Sequence, residues 1–203
     1  MTQPDQCTVF IIDDDDGFRE SVRWLLQAEN IETCGFASPL KFMESYQGET
    51  GCILLDVRMP DINGLTALKM IRDKNINMPV IMISGHGDIP IAVRAIKQGA
   101  QEFIEKPFDD EHLLRVINQC LQQASEISEK ESSLAVVQNE FESLSRREKE
   151  VMNLVVSGLS NREIAENLEI SPKTVEVHRS RVMHKMNSDN LALLVKKSAL
   201  IAQ

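Results

Sequence analysis

No stretch of this 203-residue chain is apolar for long enough to cross a bilayer, and its first residues lack the charged-then-apolar pattern of a secretory signal. A cytoplasmic location is the resulting expectation. Cysteine is scarce: Cys7, Cys34, Cys52 and Cys120 stand far apart, with no CxxC and no Cys/His spacing. That pattern speaks against a zinc site or a redox pair and leaves four small core residues as the expectation. Positive charge is also in deficit, with 22 Lys+Arg against 31 Asp+Glu and a formal charge of -9. Spread evenly, this would argue against a nucleic-acid partner, but the deficit is local. Up to Ala124 there are 11 Lys+Arg and 19 Asp+Glu, whereas from Ser143 onward there are 10 and 7. An acidic body followed by a mildly basic segment suggests two domains with different partners.

The hydrophobic fraction of 42% is ordinary, and it is arranged in short blocks. Val9–Ile12, Ile31–Phe36, Cys52–Leu55, Val80–Ile83 and the pair Phe103–Ile104 read as strands, several of them continuous apolar runs of the kind buried on both faces of a parallel sheet. Between them lie helical spacings: Phe18, Val22, Leu25 and Leu26; a start at Ser38-Pro39; Leu65, Leu68 and Ile71; Ile89–Gln98 stopping at Gly99; and Leu113, Leu114, Ile117 and Leu121. Five strand-then-helix units predict an α/β flavodoxin-like, doubly wound, five-stranded parallel sheet. In that order strands one, three, four and five deliver Asp13, Asp14, Asp56, Ser84 and Lys106 to one edge, where ligands bind in open α/β sheets.

Asp56, closing the run Cys52–Leu55, is by itself no more than a polar residue ending a strand. In company it means more. Carboxylates brought together repel one another unless a cation sits among them, and a hard divalent ion, Mg2+, suits oxygen ligands. A hydroxyl and an ammonium then remain for the oxygens of a phosphoryl group. The set reads as a phosphoryl-transfer site with Asp56 as nucleophile, Lys106 offsetting charge and Ser84 donating a hydrogen bond.

The motifs IIDDDD, LLDVRMPDING, VIMISGHGD and FIEKPF, in this order, resemble those of a response-regulator receiver domain over roughly residues 7–123. The resemblance implies that Asp56 accepts a phosphoryl group from the histidine of a sensor kinase. It also implies Mg2+ bound through Asp13, Asp14, Asp56 and the backbone carbonyl of Arg58. The acidic pair of the family aligns with Asp13 and Asp14, with Asp14 and Asp15 as the alternative register. Phe103, an ordinary core aromatic from its position alone, stands where the family has a switch aromatic that turns inward as the Ser84 hydroxyl moves toward phosphate. Lys106-Pro107 matches a step that is cis in the family. In related proteins the surface of the fourth helix and fifth strand pairs with a second copy. His86 reads as a loop residue, with an influence on phosphate lifetime as the alternative, and His112 as a surface residue.

Residues 125–141 are rich in Ser and Glu and read as a partly helical linker between a domain at 1–124 and one at 142–203, with a mobile tether as the alternative. In the last segment Leu144, Val151, Leu154 and Val155 share a helical face, Ser160 caps a helix carrying Ile164, Ala165 and Leu168, and Ser171-Pro172 starts another. Two short helices and a tight turn form a helix-turn-helix pattern. On the second, Val175, Val182 and Met186 point one way, while Lys173, Glu176, Val177, Ser180, Arg181 and His184 point the other.

The run LSRREKEVMNLVVSGLSNREIAENLEISPKTVEVHRSRVMHKM resembles a LuxR-type helix-turn-helix domain. Carried over residue by residue, the resemblance implies phosphate anchoring by Lys173 and Thr174, an approach to base edges by Glu176, Val177 and Ser180, and backbone contacts from Arg179, Arg181 and Lys185. Leu191, Leu194, Val195 and Leu200 suggest a final helix of the kind that dimerises in this family. His178 and His184 have no metal-ligand partners in the pattern. The whole chain thus resembles the FixJ-like transcriptional response regulators. The partners this implies are a sensor histidine kinase, promoter DNA, a second copy on phosphorylation, and RNA polymerase, with activation the commoner output and repression the alternative. Two other readings remain open at this level: a constitutive DNA-binding regulator whose receiver only dimerises, and a phosphate-handling enzyme using Asp56.

Overall fold

A computed structural model describes residues 7–85 and 89–201. The chain divides into two compact units after Ser128. The first carries five parallel strands in the order β2-β1-β3-β4-β5: β1 Thr8–Ile12, β2 Glu32–Phe36, β3 Gly51–Asp56, β4 Val80–Ser84 and β5 Glu102–Glu105. This is the flavodoxin-like order. Each strand is followed by a helix: α1 Asp16–Ala28, α2 Pro39–Ser45, α3 Gly64–Asp73, α4 Ile89–Lys97 and α5 Asp110–Glu142.

The uninterrupted apolar run of β3 has a direct physical cause. Ile53 and Leu55 pack in a core with Phe42 of α2, Leu68 and Ile71 of α3, and Ala95 of α4. Cys52 and Leu54 face the opposite core, with Val22 and Leu26 of α1 and Leu113 and Ile117 of α5. A strand covered on both faces has no polar side to display. The edge strand β2 contrasts with it, since three of its five residues, including Cys34, are exposed. The expectation of four core cysteines is therefore corrected for Cys34, which is exposed on the edge strand of the sheet. Cys52 and Cys120 are buried, and Cys7 is half-buried.

Two local devices tie the layers together. Arg72, near the end of α3, donates to the carbonyls of Ile76, Met78 and Gly99, at 2.7, 2.9 and 2.8 Å. It thereby joins α3 to the turn before β5, where Gly99 has φ +90°. Gly51 begins β3 against the backbone of β1, where a Cβ would fall 1.8 Å from the Thr8 carbonyl oxygen.

Residues 125–141, expected to be a partly helical linker, are helical throughout as part of α5. Val137 and Phe141 on its last turns pack into the core of the second unit. That core is completed by α6 Arg146–Val156, α7 Asn161–Leu168, α8 Pro172–Lys185 and α9 Leu191–Ile201. It contains Leu144, Val151, Met152, Val155, Ile164, Ala165, Val175, Val182, Met186 and Leu194. Ser145 and Ser160 cap α6 and α7 with reciprocal boxes closed by Glu148 and Glu163.

Glu148 does more than cap. Its carboxylate, 3% exposed, also accepts from the Lys185 ammonium at the end of α8, 2.8 Å away. The Lys185 bond and the Ser145 backbone bond hold the Glu148 carboxyl down at about 2. A depressed carboxylate contributes stability that is present above its unfolded value of 4.5 and lost as pH falls through about 2. Glu148→Gln is expected to weaken the α6–α8 contact at neutral pH by on the order of 2 kcal/mol. The difference from the parent should shrink as pH falls below 4.5. Amide exchange in α6 and α8 across that range measures it; a difference that does not depend on pH would assign the loss to packing.

Candidate functional site

The carboxyl edge of the sheet gathers three of the expected residues. Asp13, one residue beyond β1, and Asp56, the last of β3, are 2% and 8% exposed. The Lys106 ammonium lies between them, donating to Asp13 Oδ2 at 2.8 Å and to Asp56 Oδ1 at 2.9 Å. Its backbone is fixed as well, because Lys106 N donates to the Ser84 carbonyl at 2.7 Å. The other Asp56 oxygen accepts from Arg58 N at 2.6 Å, and Asp13 Oδ1 accepts from Asp15 N at 2.8 Å.

The electrostatics follow from this crowding. Burial pushes the Asp13 carboxyl up; Lys106 and the Asp15 amide pull it back in part, and the neighbouring Asp56 charge adds to the rise. For Lys106, burial alone would lower the ammonium's value. The bonds to Asp13 and Asp56, with their charges, outweigh that and raise it. One cation thus serves two carboxylates, and the cluster keeps an excess of negative charge.

The four-aspartate run separates into distinct roles. Asp13 faces the ammonium. Asp14 is exposed and lines a cleft of about 560 Å3 with Val57, Arg58, Ile91 and Arg94. Asp15 is the N-cap of α1, accepting from Gly17 N and Phe18 N, and Asp16 pairs with Arg19 in the first turn. Ser84, almost wholly buried, closes β4. Its neighbour in register is Glu105, and Met82 pairs with Phe103, so Ser84 and Phe103 lie on the same face of the sheet. Phe103 is half-buried against the core under α2, α3 and α4. The Lys106-Pro107 bond is cis, and His86 lies outside the described residues.

On α8 the predicted division of faces is observed. Val175, Val182 and Met186 are buried, while Lys173, Glu176, Val177, Ser180, Arg181 and His184 are exposed and Thr174 is half-buried. Among the described residues, Lys173 and Arg181 enter no ion pair. Arg179 and Lys185, grouped with them from the sequence, are engaged within the unit. Arg179 donates to Asn161 Oδ1 at 2.6 Å, and Lys185 to Glu148 and to the Ser143 carbonyl. At 100° per residue both lie closer to the buried stripe than to the outward face.

Residues 9–118 match the family described as response regulator receiver domain, and residues 142–198 match bacterial regulatory proteins of the luxR family. The transcriptional regulatory protein FixJ of Azorhizobium caulinodans is 40% identical over 97% of this chain and 94% of its own. The chain belongs to the two-component response regulators. The response regulator TmoT of Ectopseudomonas mendocina is 38% identical over 94% of this chain and 87% of its own. Among solved structures, the response regulator StyR is 38% identical, covers 96% of this chain and 98% of its own, and superposes with a TM-score of 0.89. Full-length FixJ from B. japonicum is 36% identical over 97% and 98%, with a TM-score of 0.58.

Receiver domains of this family generally bind Mg2+, and the donors here are of the right kind: hard carboxylate oxygens carrying more negative charge than Lys106 offsets. Among the described residues, no three His, Cys, Asp or Glu side chains stand close enough together to hold an ion. Asp13 and Asp56 are the two buried carboxylates at this edge, and Asp14 is exposed. Among the described residues no helix is long and apolar enough to cross a membrane.

Two contributors to this site were not singled out from the sequence. Phe18, read only as one apolar position of α1, places its ring under the Lys106 ammonium, 3.6 Å from the centroid. Gly64 opens α3 directly against the end of β3. A Cβ there would fall 2.3 Å from the Asp56 carbonyl oxygen and 2.9 Å from Val57 Cα. The available signal was a glycine immediately after a capping Asn63, a short loop beyond an acid that ends a strand. Gly64→Ala is expected to destabilise the first unit by about 1–3 kcal/mol through that overlap. Urea unfolding, with amide exchange at Val57 as the local probe, checks this; parental stability with unchanged exchange would show that α3 can withdraw at no cost.

Proposed function

We propose that this response regulator is switched by phosphorylation of Asp56 by a sensor histidine kinase, and that the phosphorylated form dimerises and binds promoter DNA. Residues 1–124 form the phosphoacceptor domain and 142–203 the DNA-binding domain, with 125–141 between them. The observation that carries this reading is the buried Asp56 carboxylate, held at a strand end by the Lys106 ammonium and the Arg58 backbone amide.

In the transfer, an Asp56 oxygen forms the bond to phosphorus as the bond from phosphorus to the kinase histidine nitrogen breaks. Lys106, already at Asp56, offsets the charge of the phosphoryl oxygens, and Ser84 donates a hydrogen bond to one of them. Mg2+, held by Asp13, Asp14, Asp56 and the Arg58 carbonyl, supplies further charge compensation when bound. Movement of Ser84 toward the phosphoryl group frees space for Phe103, on the same face of the sheet, to turn inward. The phosphate thereby biases a two-state element. Self-catalysed phosphorylation from small donors and hydrolysis of the acyl phosphate are slow side reactions of the same chemistry.

For the output, Lys173, Thr174 and Arg181 contact phosphates, while Glu176, Val177 and Ser180 face base edges. Dimerisation places two α8 helices on a two-fold site. The protein acts in the cytoplasm, where it recruits RNA polymerase and activates transcription.

Sedimentation with Mg2+, before and after a small phosphodonor, is expected to show a monomer-to-dimer shift in the parent and none in Asp56→Asn. A shift in both would sink the switch. Arg181→Ala should weaken DNA binding about equally for all sequences and reduce the salt slope by about 1, whereas Lys185→Ala should instead destabilise the second unit. Equal salt slopes for the parent and Arg181→Ala would remove Arg181 from the contact set. Val177→Ala and Ser180→Ala should alter the preferred site in selection from randomised DNA; unchanged preferences would count against their base-facing assignment.

A further inference from the structure

Lys106 has a third neighbour besides its two carboxylates. An ammonium has three donors; here two reach Asp13 and Asp56, and the face of Phe18 covers the nitrogen from the remaining side at 3.6 Å. The ring is itself held. It follows the N-cap of α1, where Phe18 N donates to Asp15 Oδ1, and it meets Phe108 edge-on, with centroids 6.1 Å apart and planes at 82°. Phe108 lies two residues beyond Lys106, so the loop that carries the lysine closes back on the ring that supports it. The Lys106 side chain is 25% exposed, which leaves water as the competing destination for its ammonium.

We propose that Phe18 is a positioning residue for phosphoryl transfer: its ring face keeps the Lys106 ammonium over the crevice between Asp13 and Asp56, where the incoming phosphoryl oxygens arrive. The inference rests on Asp56 as phosphoacceptor. A leucine at position 18 keeps an apolar side chain but presents no π-face, whereas tyrosine keeps the face. An aliphatic side chain also leaves the ammonium one side open to solvent, so more of its population points away from the acids.

The test uses the full-length protein with Mg2+ and acetyl phosphate, following the mass increase of one phosphoryl group with time. Phe18→Leu is expected to slow uptake roughly two- to fivefold, the effect of one partly exposed cation–π contact, with Phe18→Tyr close to the parent. In a Lys106→Met background, Phe18→Leu should have no further effect. A separate signature needs no phosphoryl transfer: the Lys106 ε-methylene proton resonances, shielded by the ring in the parent, should move downfield in Phe18→Leu and stay in Phe18→Tyr. Parental uptake by Phe18→Leu, or an equal loss in the Lys106→Met background, would overturn the inference and leave Phe18 as packing. If the parent takes up no phosphoryl group, the phosphoacceptor reading fails and this inference falls with it. Uptake by the parent together with an unaffected Phe18→Leu removes the inference alone.

Discussion

The Lys106 ammonium, shared between two carboxylates from which water is nearly excluded, is the interaction on which this molecule depends. A buried charge is costly, and two like charges side by side are costlier; the cost is tolerated where a cation and hydrogen bonds meet them. Here one cation meets both Asp13 and Asp56, and backbone amides of Asp15 and Arg58 take further lone pairs. The balance is incomplete, as the upward displacement of Asp13 by burial and by Asp56 records. An under-compensated acidic cluster is a place where added positive charge binds well.

The rest of the first unit serves to hold that arrangement. Parallel strands put successive carboxyl ends on one edge, and helices on both faces keep β1, β3 and β4 dry. Gly64 lets α3 begin against the backbone of Asp56, and the bond from Lys106 N to the Ser84 carbonyl sets the lysine from the strand beside it. The same bond connects the charge cluster to the strand that bears Ser84. Ser84 and Phe103 share one face of the sheet, and Phe103 packs there against the core under α2, α3 and α4.

In the second unit, cations are divided by where their helix angle directs them. Lys185 and Arg179 are used inside, one against buried Glu148 and the other against Asn161, and so fix the attitude of α8 on α6 and α7. Lys173 and Arg181 remain on the outward face. Affinity for a polyanion depends on the cations left over after folding has used its share, and a count of basic residues along α8 overstates that remainder.

Much was legible in the sequence because it was periodic or stood at a chain-local boundary. Apolar runs of strand length ending in Asp13, Asp56, Ser84 and Lys106, helical spacings between them, and Ser-x-x-Glu caps are local patterns, and they determined the five-unit sheet, the helix-turn-helix and the identity of the acids. Which members of the aspartate run turn inward, that Cys34 lies on an exposed edge, that Phe18 carries the Lys106 ammonium, that Gly64 must lack a side chain, and that Lys185 belongs to Glu148 were decided only by tertiary structure. Each depends on partners distant in the chain or on the direction of one side chain among several equivalent ones. Local pattern specifies which elements form and what ends them; the meeting of charges across elements is set by packing, which no single segment encodes.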